Sequence, residues 1–291
     1  MIKQVWHAMQ NLNPKDVREL ADRPVTIGLF ADNLSTLDEM EEFFSPPGLS
    51  RERRLEIFDA LFRAGETGAP QRYDIEIYEE GIRRPSEAFL WVSRNPALTV
   101  AEILRRRDDL AIPLARRFPP FRVAVTENII NQVSKENAFF SLATALPGIV
   151  PSILALPFAV GEFASDTAFL TVNQVRMAFL LAAASDREVG YKEQRNEIGS
   201  ILAGAFGWRA IARELVGKIP LGGGLIPKAA IAFAGTMVAG RVLERLYREG
   251  YEFSKQERAA AYESAFEKGK TVAAELWKSM QAARSAKGTG T

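Results

Sequence analysis

The rhythm of apolar and polar positions changes near residue 120 of this chain. Before that point apolar residues come in short bursts. VTIGLF (25–30) and AFLWV (88–92) are continuous runs, whereas YDIEIY (73–78) alternates. A continuous run predicts a strand buried on both faces, and alternation predicts an edge or antiparallel strand with one wet face. AFLWV is therefore expected at the centre of a small sheet and YDIEIY at its margin. Helical spacing predicts helices at 33–44, where Ser35 and Asp38 have capping-box spacing, and at 50–63, 99–107 and 111–118. Near the N-terminus, Ile2, Val5, Trp6 and Met9 recur at helical spacing. Asn13-Pro14 then supplies an N-cap and an N1 proline for a helix ending near Asp22. FRVAV (121–125) fits a fourth strand or the start of a long helix, and the helix is preferred.

Beyond about residue 122 long apolar helices joined by glycine and proline take over. Residues 138–161 carry no charge and are broken by Pro147, Gly148, Pro151 and Pro157. That is enough apolar chain for a bilayer core, which needs roughly 20 residues. The prolines nevertheless oppose one straight helix, because each lacks an N–H and crowds the preceding turn. A helix is expected at 161–185, a second at about 197–206, and a third after the glycines of 219–240 that runs on to Gly250. In that third helix Gly235 and Ala239 lie four apart, as in close helix contacts. Ser254-x-x-Glu257 is a capping box for a final amphipathic helix ending near Arg284, before a frayed tail.

The expected fold is α+β and mainly α. A small Rossmann-like α/β unit (1–121) precedes an apolar multi-helix domain (122–252) and a C-terminal amphipathic helix with its tail (253–291).

Composition changes this picture mostly by exclusion. There is no cysteine, and His7 is the one histidine, so thiol catalysis, disulfides, His-based zinc sites and Ser-His-Asp triads are ruled out. His7, beside Trp6, reads as a partly buried structural residue. A net charge of +1 supplies no global field toward nucleic acid. No cofactor, metal or nucleic-acid partner is expected. The first residues lack a long apolar segment with a small-residue cleavage site, which predicts synthesis into the cytoplasm.

Four constellations carry candidate chemistry. GLFADNLS (28–35) has the place and length of a phosphate loop, with Gly28, Asn33 and Ser35 as anion or nucleotide candidates. Asn33 and Leu34 stand where the second glycine and the lysine belong, so a degenerate strand-to-helix turn is the expectation. Glu162, Asp166, Asn173 and Arg176 fall in one narrow arc at about 100° per residue. They predict a buried network, Asp166 pairing with Arg176 or Asn173, with a ligand or ion site as the alternative. Gly222, Gly223 and Gly224, with Lys228, form a glycine loop that could hold an anion but reads better as a close-packed bend. Arg105, Arg106, Arg107, Arg116, Arg117 and Arg122 could touch anionic head groups, a solvated helix face being the preferred reading.

The segments KENAFFSLATALPGIVPS (135–152) and ASDTAFLTVNQVRMAFLLAAA (164–184) carry a resemblance. With the glycine-rich turn and small-residue helix behind them, they resemble the bacterial helical family called domain of unknown function 697, over about residues 125–250. Its most specific elements here are the ENA…LP…P run and Thr171-x-Asn173-Gln174-x-x-Met177. The resemblance implies a membrane-linked helical domain of a kind that often accompanies GTPases, and implies no catalytic residues.

The function expected is that of a non-enzymatic, membrane-associated or scaffold protein on the cytoplasmic face of the membrane, peripheral or re-entrant. Its partner would be membrane lipid or a helical protein. The alternatives are a GTPase-like nucleotide binder acting at 28–35, and a soluble cytoplasmic homo-oligomer whose apolar stretches form its interface.

Overall fold

The computed structural model describes residue 9 and residues 12–144, 166–204 and 224–288. It is mainly helical with one small parallel sheet. The chain divides into two compact units: residues 15–127 with 182–188, and the remainder.

In the first unit, α1 (Pro14–Ala21) leads to β1 (Ile27–Phe30), α2 (Leu34–Phe44), α3 (Arg51–Phe58), β2 (Leu61–Arg63), β3 (Ile75–Tyr78) and β4 (Phe89–Leu90). α4 (Pro96–Arg106), a short 3-10 turn and α5 (Ala111–Arg117) follow. All pairings are parallel, in the order β2-β1-β3-β4. β1 buries Ile27 and Leu29 completely, as its continuous apolar run predicts. Gly28 lies inside β1, where the Tyr73 ring packs against it so closely that an added Cβ would stand 2.6 Å from Cδ2.

The two other strand expectations exchange places. YDIEIY supplies β3, an interior strand, and AFLWV supplies β4, which pairs with β3 alone among the described residues. Alternation in β3 records that Ile75 and Ile77 are buried while Glu76 is half-buried, a statement about faces and not about ladder position. The apolar run at β4 records packing: Trp91 is buried against the Phe43 and Phe44 rings, at 5.4 and 6.3 Å between centroids. Each such aromatic contact contributes about 0.5–1.5 kcal/mol beyond its buried area.

The helix expected at 50–63 ends early. α3 starts from Ser50, whose hydroxyl accepts from the Arg53 amide, and closes at Asp59. Residues 61–63 then pair with β1, a ladder that overrides their helical spacing. The capping box at Ser35 and Asp38 is also corrected, because Asn33 is the N-cap and accepts from the Ser35 amide at 2.9 Å.

FRVAV is helical, within α6 (Pro119–Ala143). The second unit contains α7 (Asp166–Ala184) up to Leu181, a helical segment at 195–204, α8 (Leu225–Glu249) and α9 (Lys255–Gly288). Gly250 ends α8 in the left-handed conformation, φ +84°, the C-terminal geometry that glycine adopts without strain. The capping box at α9 forms as expected, Ser254 N–H donating to Glu257 and Glu257 N–H to the Ser254 hydroxyl. Residues 285–288, expected to fray, continue the helix.

Two glycines permit close helix packing here. Gly240 of α8 faces Ile130 and Met177, where an added Cβ would stand 2.8 and 3.0 Å from their nearest atoms. Gly269 of α9 lies against the Ala230 backbone oxygen, at 2.9 Å by the same measure. Gly235, the small residue singled out by its spacing to Ala239, has nothing within 4 Å of such a Cβ.

Candidate functional site

The polar residues of α7 meet partners from α6 and α8 in the interior of the helical unit. Asn173 donates to Glu136 and to the Asn137 side-chain oxygen, both at 3.0 Å. Arg176 reaches Glu136 at 3.0 Å and the Asn173 oxygen at 2.9 Å. Gln132 donates to the other Glu136 oxygen at 3.0 Å. From α8 the Thr236 hydroxyl accepts from Asn137 at 2.7 Å and from Gln174 at 3.1 Å, while donating to the Ala232 carbonyl. Asn137, Asn173 and Thr236 are wholly buried, and the Arg176–Glu136 pair retains 18% and 9% side-chain exposure. A buried pair of this kind is stable only where its remaining polar atoms are also satisfied, as the amides and hydroxyl here achieve.

Of the predicted arc, Asn173 and Arg176 are therefore brought together. Asp166 opens α7, its side chain lying outside the described residues, as do Glu162 and most of 138–161. The described carboxylate partner of Arg176 is Glu136, a residue that the arc on one helix could not reveal. The signal was present: Glu136 and Asn137 belong to the ENA run, and a charge inside an apolar helix needs a buried partner. Both segments that carried the family resemblance thus converge on one network.

The turn after β1 has a different economy. The register pairs Phe30 with Tyr78, which sets residues 31–33 beside Glu79. Strand order reverses here, and the crevice outside the strand ends at such a point is where open α/β sheets hold ligands. In this chain Glu79 accepts from the Asp32 and Asn33 amides at 3.0 and 3.2 Å and from the Thr36 hydroxyl at 2.7 Å. The Thr36 hydroxyl, reinforced by the two amides, holds the Glu79 carboxyl below its ordinary range. A carboxylate of the protein itself therefore sits on the amides that a phosphate loop would offer to a phosphate. Gly28 is a strand residue, Asn33 a helix cap, and Ser35 donates its amide to that cap.

Gly222 and Gly223 lie outside the described residues. Gly224 is the N-cap of α8 without a side chain to offer, and Lys228 stands exposed in that helix's first turn.

The arginines thought to form a solvated face are instead mostly staples. Arg105 pairs with Glu102 at 2.6 Å, and Arg107 pairs with Asp109 while donating to the Asp74 carbonyl. Arg106 donates to the Ser86, Glu87 and Ala88 carbonyls and lies 4.5 Å above the Phe89 ring. Arg116 pairs with Asp22, Arg117 donates to the Glu56 carbonyl, and Arg122 pairs with Asp186. Arg53 also binds Asp186, at 3.1 Å. Burial pushes the Asp186 carboxyl up against the pull of Arg53 and Arg122, and it lowers Arg122. Asp186 adopts φ +60°, a left-handed conformation that aspartate tolerates better than most residues.

No group of three or more metal-ligating side chains occurs among the described residues. In comparison with known proteins, no family model, no curated protein and no solved structure matches this chain.

Proposed function

We propose that the chain is a non-enzymatic scaffold that attaches through its apolar helical unit to lipid at the cytoplasmic face of a membrane, in a peripheral or re-entrant manner. The observation that carries this reading is the asymmetry between two 18-residue apolar stretches of equal mean hydropathy, 1.3: 78% of the residues are buried in Thr167–Ala184, against 50% in the most apolar stretch of Leu225–Glu249. Leu225, Ile226, Ile231 and Val242 are only half-buried there, a partly covered apolar face that a further apolar surface would complete.

The charges on α8 favour insertion without crossing. Lys228, which in the sequence interrupts an apolar stretch near its middle, lies in the first turn of α8, where a long side chain can reach the interface. The next charge is Arg241, so the uncharged part is 229–240. At 1.5 Å per residue that part is about 18 Å long, short of the roughly 30 Å hydrocarbon core. The resemblance to a membrane-linked helical family supports the same reading. The Glu79 carboxylate on the 31–36 turn weighs against the nucleotide-binding alternative.

Flotation of the full-length chain with phosphatidylethanolamine–phosphatidylglycerol vesicles tests the proposal. The protein is expected in the vesicle fraction. Ile231→Asp, at a half-buried position of α8, is expected to reduce flotation. A protein that stays at the bottom of the gradient and scatters as a monomer in plain buffer would remove the proposal. A stable oligomer without vesicle binding would replace it with the homo-oligomer reading.

A further inference from the structure

A cleft in the α/β unit, away from the 31–36 turn, is lined by Asp38, Glu41, Glu42, Ser45, Pro47, Arg54 and Phe58 and encloses about 270 Å³. Its charges are unevenly spent. Arg63 binds both Asp38 and Glu41, at 2.9 and 2.6 Å, and so neutralises part of the acidic wall. Glu42 and Arg54 have no side-chain partner among the described residues. Ser45 is only 4% exposed, and its hydroxyl oxygen is buried with no hydrogen-bond partner. A buried hydroxyl without a partner costs about 1–3 kcal/mol, so such groups call for an explanation.

Ser45 is the C-cap of α2, a helix with no basic residue in its last turn. Helix C-termini favour cations, because their last carbonyls carry partial negative charge. Here the helix end, the free Glu42 carboxylate and the free Ser45 hydroxyl all offer acceptors around one cleft. The Phe58 ring, 38% exposed, and Pro47 supply an apolar wall on which an aliphatic stem can lie. Arg54 supplies the one free positive charge on the lining.

We propose that this cleft binds an organic cation, a guanidinium or ammonium on an aliphatic stem, with a carboxylate at the ligand's other end. The cation pairs with Glu42 and takes the Ser45 hydroxyl as acceptor, the stem packs on Phe58, and the carboxylate pairs with Arg54. Free arginine or lysine presents that chemistry, and so does a basic residue at the C-terminus of a polypeptide.

Protein-observed NMR titration of the full chain with L-arginine tests the assignment. Saturable shifts are expected at residues 42–58. L-citrulline, which keeps the shape and loses the cation, is expected to bind about tenfold or more weakly, as loss of a charge-assisted hydrogen bond implies. Agmatine, which lacks the carboxylate, is expected to bind more weakly and to become insensitive to Arg54→Ala. Glu42→Gln is expected to weaken arginine about tenfold, while Glu39→Gln on the same helix leaves it unchanged. Ser45→Ala is expected to weaken arginine yet keep or raise the melting temperature, since it removes an unsatisfied hydroxyl. The peptide acetyl-Gly-Arg binding more tightly than free arginine assigns the ligand to a polypeptide end, and the reverse order assigns it to the free amino acid. Equal affinity for arginine and citrulline, no effect of Glu42→Gln in a folded variant, or no saturable shift would overturn the proposal.

Discussion

Two glutamates, one in each unit, complete the two most conspicuous polar sites, and they do so by opposite means. Glu136 sits inside the helical unit with 9% of its side chain exposed and is bound by side chains alone: Arg176, Asn173 and Gln132. Glu79 stands at the rim of the α/β unit and is bound by two backbone amides and the Thr36 hydroxyl. The buried glutamate depends on other side chains, each of which a mutation can remove. The half-buried one depends on the Thr36 hydroxyl and on two backbone amides that mutation leaves in place, and water can replace part of what it loses. The same functional group therefore ties α6 to α7 in one place and finishes a turn in the other.

The largest effect should follow from breaking the buried pair. Arg176→Ala leaves Glu136 charged and without its cation, and removing one partner of such a pair costs about 3–5 kcal/mol. Hydrogen exchange of the full chain should show lost protection in α6, α7 and α8, with the β strands unaffected. The double variant Glu136→Leu with Arg176→Met should recover only part of the loss, because apolar replacement removes the unpaired charge but leaves the buried Asn173 oxygen without the Arg176 donor. A single variant with protection unchanged would mean that the network is ornamental and that the two glutamates do not differ in kind.

Packing at α8 offers a second contrast, smaller in size. Gly240→Ala places a methyl against Ile130 and Met177, and overpacking of this kind costs about 1–3 kcal/mol. Gly235→Ala meets no atom and replaces a helix-interior glycine, so it should stabilise by about 0.5–1 kcal/mol. Thermal unfolding of the two variants measures the difference. Equal and opposite shifts from those stated would show that α8 approaches α6 and α7 differently from the geometry described.

What could be read in advance follows the same division between local and distant. Local signals were legible. The capping box at Ser254, the helix running on to Gly250, the helical preference of 121–125 and the buried strand within 25–30 depend on neighbours within a few residues. Asn173 and Arg176 were recognised as one buried arc for the same reason. Their partners were not, because Glu136 and Thr236 lie on other helices and only tertiary packing brings them to α7. The roles of β3 and β4 were exchanged because apolar patterning reports which faces are covered, and ladder order depends on pairing with β1. Residues 61–63 were lost to a helical pattern for want of the same partner. Glu79 was invisible as a cap until the Phe30–Tyr78 register placed it beside the turn.

The smallest effect tests Glu79. Because its carboxyl is held below the ordinary value of 4.5, its charged form is favoured by folding. Its contribution is therefore fully present above that value and is lost as pH falls through the depressed one. Glu79→Gln removes the charge while keeping an oxygen acceptor, so the variant should lack this pH dependence. At neutral pH the amides of Asp32 and Asn33 should exchange faster in the variant than in the parent, once intrinsic rates are corrected. Below the depressed value the two proteins should converge, because the parent's carboxyl is then also uncharged. The helical unit should exchange identically in both proteins across the whole range. A difference that persists in acid would show that the Gln side chain disturbs the turn's geometry, and that charge is not what Glu79 supplies there. Convergence would place the two glutamates where their surroundings put them: Glu136 answering to its partners' presence, and Glu79 to the proton.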